Sequence, residues 1–225
     1  MTENKILLSI LIPTVVGREK CAERLRRNII TQVDGEDSFL LQFASSSPRE
    51  GKVGSMEFNG IEILDYKDNK EMTIGEKREL LYNAAKGLYS WQIDDDDDIA
   101  PNAIQLILEA IRSNPEIPVI TFKERCMING EYKSSNHSIR YPQWMDNQDG
   151  YDYVRCPFYK DVIRTDIAKS VPFERIRYNE DERWSMAIKS LLTDEIHIEE
   201  ELYYYNYEPK ESHETRYGFD KDKTS

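Results

Sequence analysis

The stretch YSWQIDDDDD (residues 89–98) joins five residues typical of a buried strand to five consecutive aspartates, the aspartate run (residues 94–98). Neighbouring carboxylates repel one another by about one to several kcal/mol per pair where the dielectric constant is reduced. A folded protein keeps such a run only where water solvates it or a cation neutralises it. Because a strand precedes the run and Pro101 suits the first turn of a helix, the connecting loop is tight. The run therefore predicts either a solvated acidic turn or a metal site.

Strands and helices alternate on both sides of the aspartate run. Buried apolar runs predict strands, and apolar residues repeating every three or four positions predict helices. The predicted strands are residues 5–13, 39–44, 61–66 and 89–93, and the predicted helices are residues 17–33, residues 75–88 and a segment starting at Pro101. This alternation favours a mostly parallel sheet covered by helices on both faces. Ligands of such sheets bind at the carboxyl ends of the strands, which is where the aspartate run lies.

The pattern changes in the second half of the chain. Asn129 and Gly130 lie between two strand-like stretches, residues 119–128 and 131–133, and predict a type I′ hairpin. Residues 134–153 are polar and aromatic without a period, which predicts a long functional or mobile loop. Beyond it we predict helices at residues 161–169 and 180–192, a strand at residues 195–207 and a polar tail.

Composition narrows the classes of function. The chain has 225 residues and a formal net charge of −12, which disfavours sequence-independent binding of nucleic acid. Three cysteines form no CxxC pair, which indicates a reducing compartment. The apolar runs are far shorter than the ~20 residues that span a bilayer, and no signal-peptide pattern is present. We therefore expect a cytoplasmic protein.

Four motifs follow one another along nearly the whole chain. They are SILIPT (residues 9–14), IGEKR (74–78) with NAAKG (83–87), IDDDD (93–97) and NED (179–181). Their order and spacing resemble a family 2 glycosyltransferase with the GT-A fold, in the small form common in bacteria and phages. The resemblance implies a Rossmann-like, mixed but mostly parallel sheet flanked by helices. It also implies a single domain at residues 1–208, with a nucleotide-sugar-binding half (1–113), an acceptor-binding half (114–208) and a polar tail (209–225).

The resemblance assigns the aspartate run to a DxD motif, in which Asp94 and Asp96 are the two acidic positions. It implies that Asp96 contacts a divalent metal and that Asp94 contacts the ribose or a metal-bound water. Mn²⁺ or Mg²⁺ fits oxygen-only ligands. His213 would be a further metal ligand, since many GT-A enzymes use a C-terminal histidine. The donor-binding residues implied by the resemblance are Pro13, Thr14, Asp68, Lys77, Arg78, Asp94 and Asp95.

Two of these assignments keep alternatives. Asp65 is as suitable as Asp68 for recognising the base, and the stretch ASSS (residues 44–47) replaces the acidic motif that relatives carry there, so the base stays open. Lys77 and Arg78 are equally typical of a charged pair on a helix surface. Gly75 would let the backbone approach a phosphate.

The NED motif contains the predicted general base. The resemblance implies that Asp181 takes the proton of the acceptor hydroxyl, with Glu180 as second candidate and Glu182 as third. The same residues also suit a helix start, with Asn179 as N-cap and acidic residues in the first turn. The implied activity is a metal-dependent, inverting transfer of a sugar from a nucleotide-sugar, a UDP-sugar first among the donors, to a glycan or another hydroxyl acceptor.

Three other functions remain open at this point. A modified base in phage DNA would be the acceptor if a basic strip formed on the second half from Arg155, Lys160, Arg164, Arg175 and Arg177. A nucleotidyltransferase also uses paired carboxylates, although TVVGR (residues 14–18) matches its glycine-rich loop poorly. A non-catalytic module that binds a nucleotide-sugar or a carbohydrate would keep the fold without the base.

For several other residues the sequence pattern indicates a structural role. Trp184 and the three cysteines are typical of core residues, and Ala187 and Leu191 are predicted to face inward with Trp184. His137 lies in the predicted loop of residues 134–153 and His197 on a predicted exposed strand face.

Overall fold

The computed structural model describes residues 6–34, 50–176 and 178–207. Within these ranges the chain forms five α-helices and eleven strands that belong to one sheet. The strands are β1 (Leu8–Val15), β2 (Val53–Phe58), β3 (Ile61–Asp68), β4 (Tyr89–Gln92), β5 (Asp98–Ile99), β6 (Val119–Ile128), β7 (Glu131–His137), β8 (Met145–Gln148), β9 (Tyr151–Arg155), β10 (Val162–Arg164) and β11 (Glu195–Tyr207). The helices are α1 (Glu19–Asp34), α2 (Ile74–Ala84), α3 (Ala103–Ser113), α4 (Thr165–Ser170) and α5 (Glu180–Ile188). The predicted strand at residues 39–44, the predicted tail, His213 and Arg177 lie outside the described residues.

The sheet is mixed and is flanked by helices, as predicted. Its strand order is β2-β3-β1-β4-β10-β6-β7-β9-β8, and β11 pairs with β6 and β5. Parallel pairs join β1 to β3 and β4, β6 to β11, and β7 to β9, whereas the other described pairs are antiparallel. Antiparallel pairing is more frequent than predicted, because β2, β5, β8 and β10 are short strands without a clear sequence signal.

Alternate side chains of β1 supply both faces of the core. Ile10 and Ile12 pack into a cluster that includes residues of α1 and α3. Leu11 packs into a second cluster that includes residues of α2 and α5. A strand that is buried on both faces needs a continuous apolar sequence, which is the reason that β1 could be predicted.

Trp184 lies in the second cluster, which confirms its predicted core position. Its ring stacks on that of Phe173, with 4.7 Å between the ring centroids. The prediction that Ala187 and Leu191 face inward is wrong, since both are exposed. The α-helix ends at Ile188 and continues as a 3₁₀ turn, which changes the angle between successive side chains.

Helix α2 begins at a capping box and ends earlier than predicted. The Thr73 hydroxyl accepts a hydrogen bond from the Glu76 backbone N–H, and the Glu76 carboxylate accepts one from the Thr73 N–H. The chain leaves the helix after Ala84 and passes close to β1. A Cβ atom on Gly87 would lie 2.6 Å from the backbone nitrogen of Ser9, so only glycine fits this approach.

The second half contains the predicted hairpin and two errors of prediction. Asn129 and Gly130 both have positive φ, 54° and 81°, which confirms the expected turn. The predicted loop at residues 134–153 is wrong, because β7 extends to His137 and β8 and β9 follow. The helix predicted at residues 161–169 starts late, since Val162–Arg164 is a strand that pairs with β4 and β6. Such short strands owe their conformation to neighbours that are distant in sequence.

No helix in the described ranges is long and apolar enough to cross a membrane.

Candidate active site

The carboxyl ends of β1, β3 and β4 form one edge of the sheet, and several predicted donor-binding residues lie there. β1 is parallel to both neighbours, and Ile93 continues the pairing of β4 by donating a hydrogen bond to Leu11. The next residues of the two strands therefore meet: the Thr14 hydroxyl donates a hydrogen bond to the Asp95 carboxylate. Pro13 precedes Thr14 at this edge. The topology predicted from the sequence is thus what brings the aspartate run beside the end of β1.

The aspartate run is partly buried and is held by cations. The side chains of Asp95 and Asp97 are 2% and 1% exposed, so the interpretation as a fully solvated acidic turn is wrong. Asp96 is the most exposed of the five, at 37%. The Arg18 guanidinium bridges two members of the run, at 2.5 Å from an oxygen of Asp95 and 2.5 Å from an oxygen of Asp96.

Burial of the run changes the ionisation of its carboxyls. Desolvation raises the pKa of Asp95 to about 7, although Arg18 opposes the change. Desolvation also raises the pKa of Asp97 well above its usual value, in spite of Lys160 at 3.9 Å and a hydrogen bond from the Tyr203 hydroxyl. In these two carboxyls desolvation by burial outweighs the attraction of the neighbouring cations. At Asp94 desolvation is outweighed by Arg78, so the pKa of that carboxyl is lowered.

Lys77 is buried, which excludes the interpretation as part of a surface pair. Its ammonium group forms an ion pair with Asp68 and donates a hydrogen bond to the Thr14 carbonyl oxygen, at 3.1 Å. Lys77 thus joins the ends of β1 and β3 from α2. Asp65 is also buried, but it pairs with Arg26 of α1. Asp68 is therefore the one of the two acidic candidates that contacts another predicted donor-binding residue.

Arg78 is buried as well and connects the aspartate run to the NED motif. Its guanidinium binds both carboxylate oxygens of Asp94, at 2.9 and 3.3 Å, and its Nε lies 3.4 Å from Glu180. The Arg78 guanidinium lies over the ring of Tyr159, at 3.4 Å from the centroid, and the Tyr159 hydroxyl donates to Asp94 at 2.8 Å. Residues from α2, the aspartate run, the loop before β10 and the start of α5 therefore form one hydrogen-bonded unit.

The two acidic residues of the NED motif differ in environment. Glu180 is buried beside Arg78, and desolvation raises the pKa of its carboxyl. Asp181 is partly exposed and lines a cavity. Asn179 has the left-handed φ of 58° and its side chain makes no capping hydrogen bond, so the predicted side-chain cap is absent; the Asp181 carboxylate accepts from the Glu182 N–H instead.

Gly75 faces protein rather than an open site. A Cβ atom at this position would lie 2.4 Å from the backbone oxygen of Glu174. The glycine allows the start of α2 to pack against that segment, and this contact corrects the interpretation that it serves a phosphate.

A cavity of about 250 Å³ opens beside Asp181, on the face formed by β6, β7, β9 and β11. Its aromatic lining consists of Trp144, Tyr153, Phe158, Tyr159 and Tyr205, and its polar lining of Glu124, Ser135, Arg155, Lys160 and Asp181. Apart from Asp181, Arg155 and Lys160, sequence reasoning did not single out these residues. The only available signal was the density of aromatic residues around the predicted loop. These residues have no regular spacing, so the sequence does not show which of them share one face.

The basic strip considered for a DNA acceptor does not form in the described part of the chain. Lys160 is buried and its ammonium lies 2.6 Å from Glu124. Arg155 pairs with Asp146, and Arg164 pairs with Glu116 and Asp166 at another part of the surface. Arg175 lies 3.9 Å from Glu76, so each described member of the predicted strip has a carboxylate within 4 Å.

His137 is buried beneath the cavity, which corrects its assignment to a polar loop. Its ring nitrogens lie 3.1 Å from Asp161 and 3.2 Å from Glu124. Desolvation lowers the pKa of the imidazole, but the two carboxylates outweigh it and raise the pKa from 6.5 to about 9. Lys160 is the other charged group of this network, through Glu124. His197 is partly exposed and contacts Thr121.

The raised pKa of His137 predicts a loss of stability at alkaline pH. A histidine whose folded pKa exceeds the unfolded one stabilises the fold fully below the unfolded value, and this contribution is lost as the pH rises through the folded value. We expect urea titrations to show a fall of roughly 3 kcal/mol in the free energy of unfolding between pH 6.5 and 9.5. His137→Gln should lack this fall and His197→Gln should keep it; an equal fall in all three proteins would contradict the prediction.

The residues at the edge of the sheet fit a hard divalent cation in their chemistry. Among the described residues no group of three or more His, Cys, Asp or Glu side chains is gathered around one point. Mg²⁺ is commonly held by one or two carboxylates together with substrate phosphates, so a larger protein cage is not required. Asp96 is the most accessible carboxylate of the run. Asp94 lies two residues before it, at the other predicted acidic position of the DxD motif.

Solved structures with the same fold come from Staphylococcus aureus TarS. The complex of TarS 1–349 with UDP-GlcNAc matches with a TM-score of 0.61 and 14% identity, over 93% of this chain and 60% of that one. The complex with UDP gives 0.58 and 13%, over 90% and 61%. A further TarS structure gives 0.58 and 13%, over 91% of this chain and 37% of that one. This chain thus has the GT-A fold of these structures, and it spans about 60% of TarS 1–349.

No protein-family model and no curated protein matches the sequence.

Proposed function

We propose that this protein is a glycosyltransferase that moves a sugar from a UDP-sugar to an acceptor hydroxyl with inversion. The observation that carries the proposal is the connection of two predicted sites by Arg78. Its guanidinium binds Asp94 of the aspartate run and Glu180 of the NED motif. A donor at the edge of the sheet and an acceptor in the cavity beside Asp181 would therefore be held by one rigid unit.

The donor side would be formed by the ends of β1 and β3 and by the aspartate run. Thr14 and Asp95, which already share a hydrogen bond, offer polar groups to the nucleoside and ribose. Lys77 fixes the relative position of Asp68 and the Thr14 carbonyl. Asp96, with Asp94 and His213 as further candidates, would hold Mn²⁺ or Mg²⁺. The ion would neutralise the charge that develops on the leaving diphosphate.

The acceptor side would supply the base. An acceptor hydroxyl has a high pKa, so a carboxylate must take its proton while the new C–O bond forms. Asp181 is partly exposed and lines the cavity, whereas Glu180 is buried against Arg78. We therefore assign Asp181 as the base and Glu180 as the residue that positions Arg78. A single in-line displacement with this base inverts the anomeric centre.

Incubation with a panel of donors tests the proposed function. UDP-GlcNAc, which is bound in the TarS structure of the same fold, is the first donor, followed by other UDP-, GDP- and dTDP-sugars with Mn²⁺. We expect release of UDP that stops when EDTA removes the metal. Release of pyrophosphate would instead identify a nucleotidyltransferase, and binding without turnover would identify a binding module.

Substitution within the aspartate run tests the metal assignment. Asp96→Ala should abolish the Mn²⁺-dependent release of UDP. Asp98→Ala is a matched control within the same run. The Asp98 carboxylate accepts hydrogen bonds from the Asn28 side chain and from the Ile99 N–H of β5, which gives it a structural role. Full activity of Asp96→Ala, or equal losses in both variants, would overturn the role given to Asp96.

A further inference from the structure

Three neighbouring strands place a row of polar side chains across the bottom of the cavity. Glu124 on β6 is paired with Ser135 on β7, and Ser135 is paired with Tyr153 on β9. Side chains of directly paired residues project from the same face of a sheet. All three residues line the cavity. The row thus presents a carboxylate, an aliphatic hydroxyl and an aromatic ring with a hydroxyl, side by side.

Ser135 is the member of this row that lacks a partner. Its side chain is 1% exposed, and its hydroxyl has no hydrogen-bond partner among the described residues. A buried hydroxyl without a partner is unfavourable, and it can both donate and accept one. An occupant of the cavity that brings its own hydroxyl would satisfy both capacities.

The charges around the cavity favour a neutral occupant. Lys160 is compensated by Glu124 at 2.6 Å, and Arg155 by Asp146 at 3.1 Å. The Asp181 carboxylate also belongs to the lining and would repel an anion. An alkyl chain would leave the Ser135 hydroxyl without a partner. Phosphate groups and lipid tails are therefore poor occupants, and a polar uncharged molecule is a good one.

The size and the aromatic walls favour a single ring. The volume of about 250 Å³ is smaller than that of a typical pocket for a drug-sized ligand, roughly 300–1,000 Å³. Trp144 and Tyr153 provide apolar faces near Arg155, which lies 5.1 and 5.0 Å from their ring centroids. A hexose ring has hydroxyls at its edge and C–H groups on its faces, and thus matches both kinds of lining.

We infer that this cavity binds one neutral hexopyranose ring of a saccharide acceptor, and that Ser135 recognises a hydroxyl of that ring other than the one that reacts. The inference rests on the proposed function and specifies its acceptor class. Asp181 deprotonates the reacting hydroxyl on one side of the cavity. Ser135, in the row with Glu124 and Tyr153, selects the ring by a different hydroxyl.

Saturation-transfer NMR on the full chain, with UDP and Mn²⁺ present, tests the inference. The probes are methyl glycosides of glucose, galactose, mannose and N-acetylglucosamine, together with 5-hydroxymethyl-2′-deoxycytidine as a probe for a DNA acceptor. We expect at least one glycoside to bind and Ser135→Ala to weaken it by about 2- to 10-fold, the effect of one hydrogen bond. The control Ser113→Ala, at the end of α3 and outside the cavity lining, should leave the affinity unchanged.

Deoxy analogues of the bound glycoside identify the recognised hydroxyl. Removal of that hydroxyl should weaken binding to the wild-type protein and have no effect on Ser135→Ala, because the two changes remove the same hydrogen bond. Ser135→Val keeps a small strand-forming side chain that projects into the cavity, and should weaken binding at least as much as Ser135→Ala.

The outcomes separate this inference from the proposed function. Calorimetry reports the binding of UDP independently of the cavity, and failure of UDP to bind would overturn the proposed function. Binding of UDP without binding of any glycoside would overturn the inference alone. Preference for the nucleoside probe would overturn the acceptor class, and an unchanged affinity in Ser135→Ala would overturn the role of Ser135.

Discussion

We expect Asp181→Asn to lower kcat for sugar transfer by about 10²- to 10⁴-fold, the usual contribution of a general base. Asparagine keeps the size of the side chain but cannot accept the proton of the acceptor hydroxyl. UDP should bind with unchanged affinity, because Asp181 lies on the cavity side of the Arg78 unit and makes no contact with Asp95 or Thr14 among the hydrogen bonds of the described residues. The measurement is UDP release under saturating donor, combined with calorimetric titration of UDP.

Two matched variants identify the base within the NED motif. Glu182→Gln removes a neighbouring exposed carboxylate and should leave kcat within about twofold of the wild-type value, because surface substitutions of this kind have small effects. Glu180→Gln weakens the contact with Arg78 and should reduce kcat less than Asp181→Asn does. A larger loss in Glu180→Gln than in Asp181→Asn, with UDP binding retained, would transfer the role of base to Glu180.

The sequence was sufficient to predict the sheet edge that carries the proposed donor site, because continuous apolar strands lead into it. β1 is an apolar strand buried on both faces, and the aspartate run follows a second buried strand. In a sheet with parallel neighbours this order alone brings Thr14 next to Asp95. The motif with Lys77 and Arg78 lies on α2, which the apolar period predicted at residues 75–88 and the structure places at Ile74–Ala84. Local patterns and topology together thus predicted that the aspartate run lies at the edge of the sheet where β1 ends.

The acceptor side could not be predicted in this way, because tertiary contacts decide its structure. Residues 134–153 have no period, yet pairing with β7 makes short strands of part of this segment. The contact of Glu124 with His137 and Lys160 joins positions on three separate segments, and nothing in their spacing indicates it. Arg18, whose guanidinium bridges Asp95 and Asp96, was likewise not singled out, since the contact joins residues nearly eighty positions apart in the sequence.

The same limit applies to Arg78. The sequence left two interpretations equally open, a donor-binding residue and a member of a charged pair on a helix surface. Burial distinguishes them, and burial depends on α5 and the loop before β10 packing over α2. The contacts of the Arg78 side chain with Asp94, Glu180 and Tyr159 make it part of the interior. A buried charge that compensates two carboxylates has a large effect on stability when it is removed.

We therefore expect Arg78→Met to lower the free energy of unfolding by about 3–5 kcal/mol. Methionine has similar length and fills the space over Tyr159, but it removes the cation beside the partly buried Asp94 carboxylate and the buried Glu180 carboxylate. A loss of this size is a large part of the roughly 5–15 kcal/mol that stabilises a typical domain. Urea titration followed by tryptophan fluorescence measures it, since Trp184 and Trp91 are buried in the two core clusters.

A control and a double variant separate the loss of charge from the loss of packing. Arg24→Met removes a half-exposed arginine that contacts backbone oxygens of the aspartate run, and should cost less than about 1 kcal/mol. Arg78→Met combined with Asp94→Asn should be less destabilised than the sum of the two single variants, because the second change neutralises a carboxylate that the first leaves uncompensated. If Arg78→Met is no less stable than Arg24→Met, or if the two effects simply add, Arg78 does not connect the two sites through charge.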